Sequence, residues 1–507
     1  MNADTPFLER LQTIAAAEPD RIALIGDGKL ISYGQAVAVI EHRAALLRQA
    51  GLAPGDRVAL IAENSPQFLL TAFAIWQANG VLVTIYPSSG AADLTHSITS
   101  SDPTLLIVDE HTEQAVRAAC AIECPITYVD DNFAPSQLRV QDLATPSDPR
   151  GVLRLICYTS GTSSRPKAVM LSEEGLLNGA RTYAEVWRLG PTDVTLVCLP
   201  MAWLFGLCTT SMATLYTGGR VVVSRRARPE MILDAIVEHR VTFLPAVTTI
   251  FTKLVRCLLD SSTRPDLSSL RLCISGGEPR NETAFDQWTE LSGRPVHDTF
   301  CASESFPLIT YDPVADPSPV RGSAGKLVPR SEIKVVDAEG APVAAGEIGE
   351  ALVRGPGLML GYWRDPEQTA AALTPDGYYR QKDLVRIDDE GYVFVVGRLS
   401  DMIIRGGSNV SPAEVERVLR EHQSVEDVAV VGLPDPMYGQ RITAAVVIAR
   451  GMQLDAKALS EFAAHELSGY KIPTEYILVD ALPQNSTTGK VDRRRLATEL
   501  DNTGAHA

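Results

Sequence analysis

The sequence predicts an α/β protein: a large N-terminal domain of helix-covered sheets with a small β section, then a small α+β domain. Three features predict it. Short β-rich apolar runs bounded by turn residues alternate with longer amphipathic segments, the mark of parallel sheets covered by helices. Beyond about residue 320 closely spaced strand-like runs replace the alternation. A fresh helix-start signal then follows a junction near Leu399-Ser400-Asp401. At 507 residues the chain is long for one domain and suits a large body plus a smaller unit, divided as 1–399 and 400–507.

The elements follow in order. Tyr33 to Ala50 and Glu230 to His239 read as amphipathic helices. Arg57 to Ala62, Thr104 to Val108 and Gly219 to Val223 read as buried strands. Two long uncharged stretches, Asn64 to Ala92 and Val194 to Gly219, are punctuated by Asn79-Gly80 and Pro87, and by Pro200 and Gly206. A helix breaking into a buried strand explains each better than a membrane span. The small β section comprises Glu332 to Val336, Gly349 to Val353 and Gly391 to Val396. Ser411 is a predicted N-cap with Pro412 in the first turn and Glu414 three residues on, opening a helix to Glu421. Strands over Val425 to Val431 and Thr443 to Ala449, a helix and a last strand complete the unit, with a frayed polar tail after Leu500.

Apolar residues at 45% and charged residues at 21% are ordinary globular composition and exclude a disordered or fibrous chain. A net charge of −16 provides no overall basic field for nucleic acid or an anionic membrane, although local basic pockets for phosphate remain open. The eight cysteines are scattered without zinc-ligand spacing, so reduced thiols are expected. The first residues lack the basic-then-apolar layout of a signal peptide. A soluble cytoplasmic protein is the expectation.

Chemistry concentrates in Leu155-Ile-Cys-Tyr-Thr-Ser-Gly-Thr-Ser-Ser-Arg-Pro-Lys167. A hydrophobic strand runs into a loop of hydroxyls and one glycine, closed by Pro and Lys. Such a loop offers hydroxyls, backbone N–H groups and one cation to polyphosphate oxygens. It is not a Walker A loop, because Pro166 stands where that motif needs glycine. Alone, it reads equally as a Ser/Thr-rich surface turn.

The segment resembles a motif of the adenylate-forming enzymes: acyl-CoA synthetases, peptide-synthetase adenylation domains and firefly-type luciferases, with the usual form Thr-Ser-Gly-Thr-Thr-Gly-x-Pro-Lys-Gly. The resemblance runs along almost the whole chain in the expected order. Ile31-Ser-Tyr33 and Gly55 to Ser65 are similar to the family's opening region, and Asp298-Thr-Phe-Cys-Ala-Ser-Glu304 stands where the family has Tyr-Gly-x-Thr-Glu. Gly349 to Pro356, Gly361 to Pro366, Gly397-Arg398, Arg405 to Glu416 and Thr488-Gly-Lys490 match closely.

The resemblance implies activation of a carboxylic acid by ATP to an acyl adenylate, then transfer of the acyl group to CoA. Joining two anions requires charge neutralisation at the α-phosphate. Glu304, helped by Thr162, would hold Mg²⁺, a hard cation suited to oxygen ligands. Lys167 with Thr159, Ser160, Gly161, Thr162 and Ser163 would cradle the β- and γ-phosphates. Asp383 would accept both ribose hydroxyls with Arg398 nearby. Gly276, Gly277, Glu278 and Pro279, with Asp298, Thr299, Phe300 and Ser303, would frame the nucleotide. Lys490 would reach the carboxylate and α-phosphate as charge accumulates. A solvated acid at a helix start is the plain alternative for Glu304, and a solvated lysine for Lys490. The C-terminal domain would be mobile, swinging about Ser400, where the family usually has Asp or Lys. Gly406 and Gly407 would let the CoA pantetheine arm pass, or serve a structural turn.

Leu199-Pro-Met-Ala-Trp-Leu-Phe-Gly206 lacks the acid that would hold a substrate's α-ammonium, which disfavours a free amino acid. Trp203, Phe205, Val247, Gly276, Phe300 and Ala302 would form an apolar acyl pocket for a hydrophobic or aromatic monocarboxylic acid. Trp203 is open between pocket wall, gate and core. The chain also departs from the family pattern: Ser164 and Ala168 replace glycines around a bulky Arg165, Cys301 replaces Gly, Ser303 replaces Thr, and Gln381-Lys382 replace Thr-Gly. Side chains where backbone should approach phosphate open three further readings. One is a protein that only transfers acyl groups from adenylates supplied by a separate enzyme. Another stops at the adenylate for a separate carrier protein, and a third binds nucleotide without catalysis.

Overall fold

A computed structural model describes residues 5–119, 122, 124–138, 148, 150–159, 165–449, 451–484 and 491–504. Its architecture is mixed α/β, with a large N-terminal body and a small C-terminal unit.

The body holds two sheets. In the seven-stranded sheet Val81–Thr84, Arg57–Ile61, Leu105–Val108 and Ile126–Tyr128 run parallel beside the hairpin Leu153–Thr159 and Lys167–Ser172. The thirteen-stranded sheet has a parallel centre of Leu272–Gly276, Phe243–Ala246, Val194–Val197, Arg220–Val223 and Ile22–Gly26. Helix Pro66–Gln77 belongs to the main core, and every residue from Phe68 to Trp76 is buried. That accounts for the first uncharged stretch: a helix hydrophobic all round belongs in an interior. Ser65 caps it, its hydroxyl accepting from the Phe68 N–H at 3.1 Å.

The second uncharged stretch opens on a strand that was not expected and then runs, as expected, from a helical segment into the buried strand Arg220–Val223. The strand Val194–Val197 comes first, followed by a π-helical segment, Phe205–Met212. Among the described residues no helix is long and apolar enough to cross a membrane.

The strand-like runs beyond residue 320 form the expected β section, all antiparallel, and it is continuous with the large sheet. Gly325–Leu327, Tyr392–Arg398, Tyr379–Ile387, Ile348–Arg354 and Glu332–Val336 extend the thirteen-stranded sheet through Ser305–Thr310. Each finds its backbone partners on a strand of that sheet, and Glu332–Val336 forms its edge.

After the turn Leu399–Asp401, a five-stranded sheet forms from Ile403–Arg405, Ser408–Val410, Val425–Asp435, Gly439–Ile448 and Glu475–Leu478. Helix Pro412–Arg420 starts as read, with the Ser411 hydroxyl accepting from the Glu414 N–H at 3.3 Å. Its Glu416 is fully buried and takes Arg493 on both carboxylate oxygens at 2.6 and 2.7 Å, and the Val430 N–H at 2.8 Å. A buried charge needs such complete pairing. The anchor ties the unit to a last helix, Arg493–Gly504, which continues past Leu500, where a frayed tail was expected to begin.

Candidate active site

The parallel strands of both sheets end at one cavity of about 960 Å³. Ala62, Tyr86, Cys157, Cys198, Val247, Gly276 and Thr299 line it from the carboxyl ends of successive strands, where ligands bind in open α/β sheets. Asn64 staples the sheets together there. Its amide donates to the Leu199 and Ser224 carbonyls at 2.8 and 3.2 Å and accepts from the Met201 N–H at 2.8 Å. The turn carrying Trp203 is fixed by that bond.

Part of the cavity lining is polar and charged. Thr159 and Lys167 face each other across the base of the hydroxyl-rich loop and both line the wall. Ser160, Gly161, Thr162 and Ser163 lie outside the described residues, as does Lys490. Glu304 occupies a two-residue hairpin turn with Ser303, not a helix start, and is buried at 7% exposure. Its backbone carbonyl accepts from the Met359 N–H at 2.8 Å, and one carboxylate oxygen accepts from the Tyr362 hydroxyl at 2.9 Å. Burial first, then the Glu304 charge, raises the Tyr362 phenol well above its ordinary value, so it stays a donor. Lys167 extends over the same Tyr362 ring at 5.0 Å. Burial, aided by Lys382 and Arg398, holds the Lys167 ammonium below its usual value against the opposing pull of Glu304.

Asp383 is buried and its Oδ1 lies 3.2 Å from Arg398 Nε, the two standing opposite each other on paired strands. Arg398 and Ser400 both line the cavity. Gln484 lines it from the C-terminal unit and pairs with Val491 in a β-bridge, so the described residues flanking Lys490 are anchored at the rim.

Gly276, Gly277 and Glu278 contribute to the wall, whereas Pro279 does not. The Glu278 carboxylate accepts from the N–H and hydroxyl of Thr249, each at 2.8 Å, which fixes the turn to the start of helix Thr248–Asp260. Asp298 is turned away from the cavity and bonded to Arg280. Arg280 also grips both carboxylate oxygens of Glu282 at 3.0 and 3.1 Å and lies 4.8 Å from the Phe285 ring centre. Burial pushes the Asp298 carboxyl up to about 6 against the pull of Arg280, and the Arg280 guanidinium remains charged. Neither Arg280 nor Tyr362 stands out in the sequence, because each matters through partners supplied by the fold.

Trp203, Phe205, Val247, Gly276 and Ala302 also line the cavity. Trp203 packs on Tyr86 with ring centres 5.2 Å apart. A Cβ on Gly276 would stand 2.7 Å from a Thr299 methyl and 3.1 Å from the Phe205 ring, so glycine keeps this space open. Phe300 packs against the main core instead, on the strand face opposite to Thr299 and Cys301.

Gly406 and Gly407 do not line the cavity in this arrangement. They form a two-residue hairpin turn between Arg405 and Ser408, with φ of 56° and 83°. Positive φ at both central residues is what a tight type I′ turn requires, so a structural need for glycine is present whatever else passes here.

A family model described as "AMP-binding enzyme" matches residues 11–363, and one described as "AMP-binding enzyme C-terminal domain" matches residues 414–490. The pyochelin synthase PchD of Pseudomonas aeruginosa is 35% identical, the alignment covering 98% of this chain and 93% of that one. A feruloyl-CoA synthase of an Amycolatopsis species is 33% identical over 95% of this chain and 97% of its own. Among solved structures, ATP-bound MatB from Rhodopseudomonas palustris superposes with a TM-score of 0.88 at 30% identity, covering 99% of this chain and 100% of that one.

Proposed function

The chain belongs to the AMP-binding enzyme family of adenylate-forming ligases, and from that premise we propose that it activates a hydrophobic or aromatic monocarboxylic acid with ATP and passes the acyl group to CoA. One observation carries the reading. A single cavity is lined both by charged groups, Lys167, Glu304 and Arg398 among them, and by apolar ones, Trp203, Phe205 and Val247. A carboxylate with an apolar tail would set its tail against the apolar groups and its charged end toward the nucleotide.

In the first step a carboxylate oxygen attacks the α-phosphorus of ATP, the bond to pyrophosphate breaks, and an acyl adenylate forms. Lys167 and the loop opened by Thr159 would hold the polyphosphate, Asp383 the ribose, and Lys490 the charge growing on the carboxylate and α-phosphate. In the second step the CoA sulfur attacks the acyl carbon and AMP leaves. Gly406 and Gly407 lie away from the cavity here, so their service to the pantetheine arm requires the C-terminal unit to turn about Ser400.

Mg²⁺ fits the donor set, because it is commonly held by one or two carboxylates, waters and substrate phosphates, and Glu304 presents a buried carboxylate on the cavity wall. Among the described residues no cluster of three or more His, Cys, Asp or Glu offers a fuller cage. When bound, the ion supplies neutralisation of polyphosphate charge. The Tyr362 bond orients the carboxylate that would hold it. Tyr362→Phe is therefore expected to raise the Mg²⁺ concentration for half-maximal adenylation about tenfold, as losing a hydrogen bond to a charged group implies. A Mg²⁺ titration of pyrophosphate–ATP exchange measures it.

The test of the whole reading is exchange of labelled pyrophosphate into ATP across a panel of aromatic and aliphatic acids, with CoA thioester followed by mass. Exchange with one class of acid, then its CoA thioester, is the expected result. The identity to a relative named as a synthase of pyochelin supports a second reading, in which the adenylate goes to a carrier protein. Exchange without CoA thioester would select it. No exchange, but thioester from supplied adenylate, would select a transferase fed by another enzyme.

A further inference from the structure

We propose that Lys382, presented by a β-bulge at residues 381–383, is a binding residue for the polyphosphate of the nucleotide, a second cation beside Lys167. The inference rests on the reading of this cavity as an ATP site. In the pairing of Tyr379–Ile387 with Ile348–Arg354, Leu384 stands opposite Glu350 and Arg380 opposite Leu352. Gln381, Lys382 and Asp383 therefore stand together opposite the single residue Ala351. Extra residues of this kind bend a strand and re-aim its side chains, and they concentrate beside active sites. The bulge turns on Lys382, whose φ of 61° is a left-handed conformation that a lysine adopts at a cost and glycine adopts freely. Strain kept at a cavity wall points to use of the side chain.

All three of the neighbouring features point to an anion. Lys382 lines the cavity with Lys167 and Arg398, and its charge is felt at Lys167. Asp383, the next residue, is engaged with Arg398, and Glu304 offsets only part of the positive charge shared by Lys167, Lys382 and Arg398. Gln381 is only 5% exposed and also lines the cavity, yet neither its amide nitrogen nor its amide oxygen has a hydrogen-bond partner among the described residues. A buried amide left unmatched costs free energy until a ligand supplies the partner. Phosphate oxygens satisfy the amide N–H and the ammonium together, and two lysines on one wall suit a group carrying several negative charges. In this chain the bulge supplies that charge in the same cavity as Lys167, while the sequence has Ser164 and Ala168 at positions where the family has glycine.

The test compares ATP, AMP and inorganic pyrophosphate binding by calorimetry in the full-length protein, its Lys382→Gly variant and its Lys382→Arg variant. Glycine suits the backbone at this position, so the first variant folds, and its thermal midpoint is checked against the parent. Lys382→Gly is expected to lower the ratio of ATP to AMP affinity about tenfold, the scale of one charge-assisted hydrogen bond, with pyrophosphate weakened in parallel and Arg restoring most of the ratio. An unchanged ratio, or equal weakening of ATP and AMP, overturns the assignment of Lys382 alone. A parent protein that binds neither nucleotide overturns the ATP-site reading itself, and this assignment with it.

Discussion

Lys490→Ala is expected to slow adenylate formation by a factor of about 10²–10³, the scale of removing one preorganised donor from a charged transition state. Thioester formation from a supplied acyl adenylate and CoA should stay within about threefold of the parent, since that step attacks the acyl carbon and makes no bond at the α-phosphorus. The two rates come from pyrophosphate–ATP exchange and from single-turnover thioester assays. The asymmetry is the informative part. Gln484, which lines the cavity, pairs with Val491 in a β-bridge, and these are the described residues on either side of the lysine segment. Equal loss in both assays would sink a role confined to the first step.

Arg280→Ala is expected to destabilise the fold by about 3–5 kcal/mol at pH 8, the range for breaking a buried ion pair from one side. Asp298 and Glu282, at 5% and 8% exposure, would be left facing each other without their shared cation. The deficit should shrink at pH 5. The Asp298 carboxyl already sits up at about 6 because of burial, and removing Arg280 removes the group that pulls it down. A carboxyl raised on folding binds its proton more tightly in the folded state, so its stability contribution is present at low pH and lost as pH rises through the folded value. Urea denaturation of both proteins at pH 5 and pH 8 measures the difference. A gap of the same size at both values would assign the loss to packing on Phe285 instead of charge.

Much of the site was legible because its parts lie where strands stop. Turn residues and hydroxyls punctuate apolar runs at Thr159, at Pro200 and at Gly276-Gly277, and the fold brings these ends to one cavity. Residues that act through distant partners gave no such signal. Tyr362 reaches Glu304 across 58 positions, and Asn64 reaches Leu199 across 135. The merging of the late strands into the large sheet was hidden for the same reason, since alternation reveals a strand but not its neighbour. Gly406-Gly407 shows the converse. The pattern marked the pair, but one hairpin turn accounts for the glycines before any ligand is considered.

Gln484 comes from the C-terminal unit, yet it shares the cavity wall with Lys167 and Phe205 of the body. If that unit turns about Ser400 as proposed, whatever fills the cavity feels a different surface in each position. By linkage its occupancy biases the unit's position through differential affinity alone, and carrying a two-state population from 1:99 to 99:1 takes a preference of about 10⁴, or roughly 5.5 kcal/mol. A ligand contacting Lys167 and nothing on the Gln484 side would leave the balance where it was, however tightly it bound. Release of one product while another stays would then reset the equilibrium between the two positions, with no motor beyond the chemistry that empties part of the cavity.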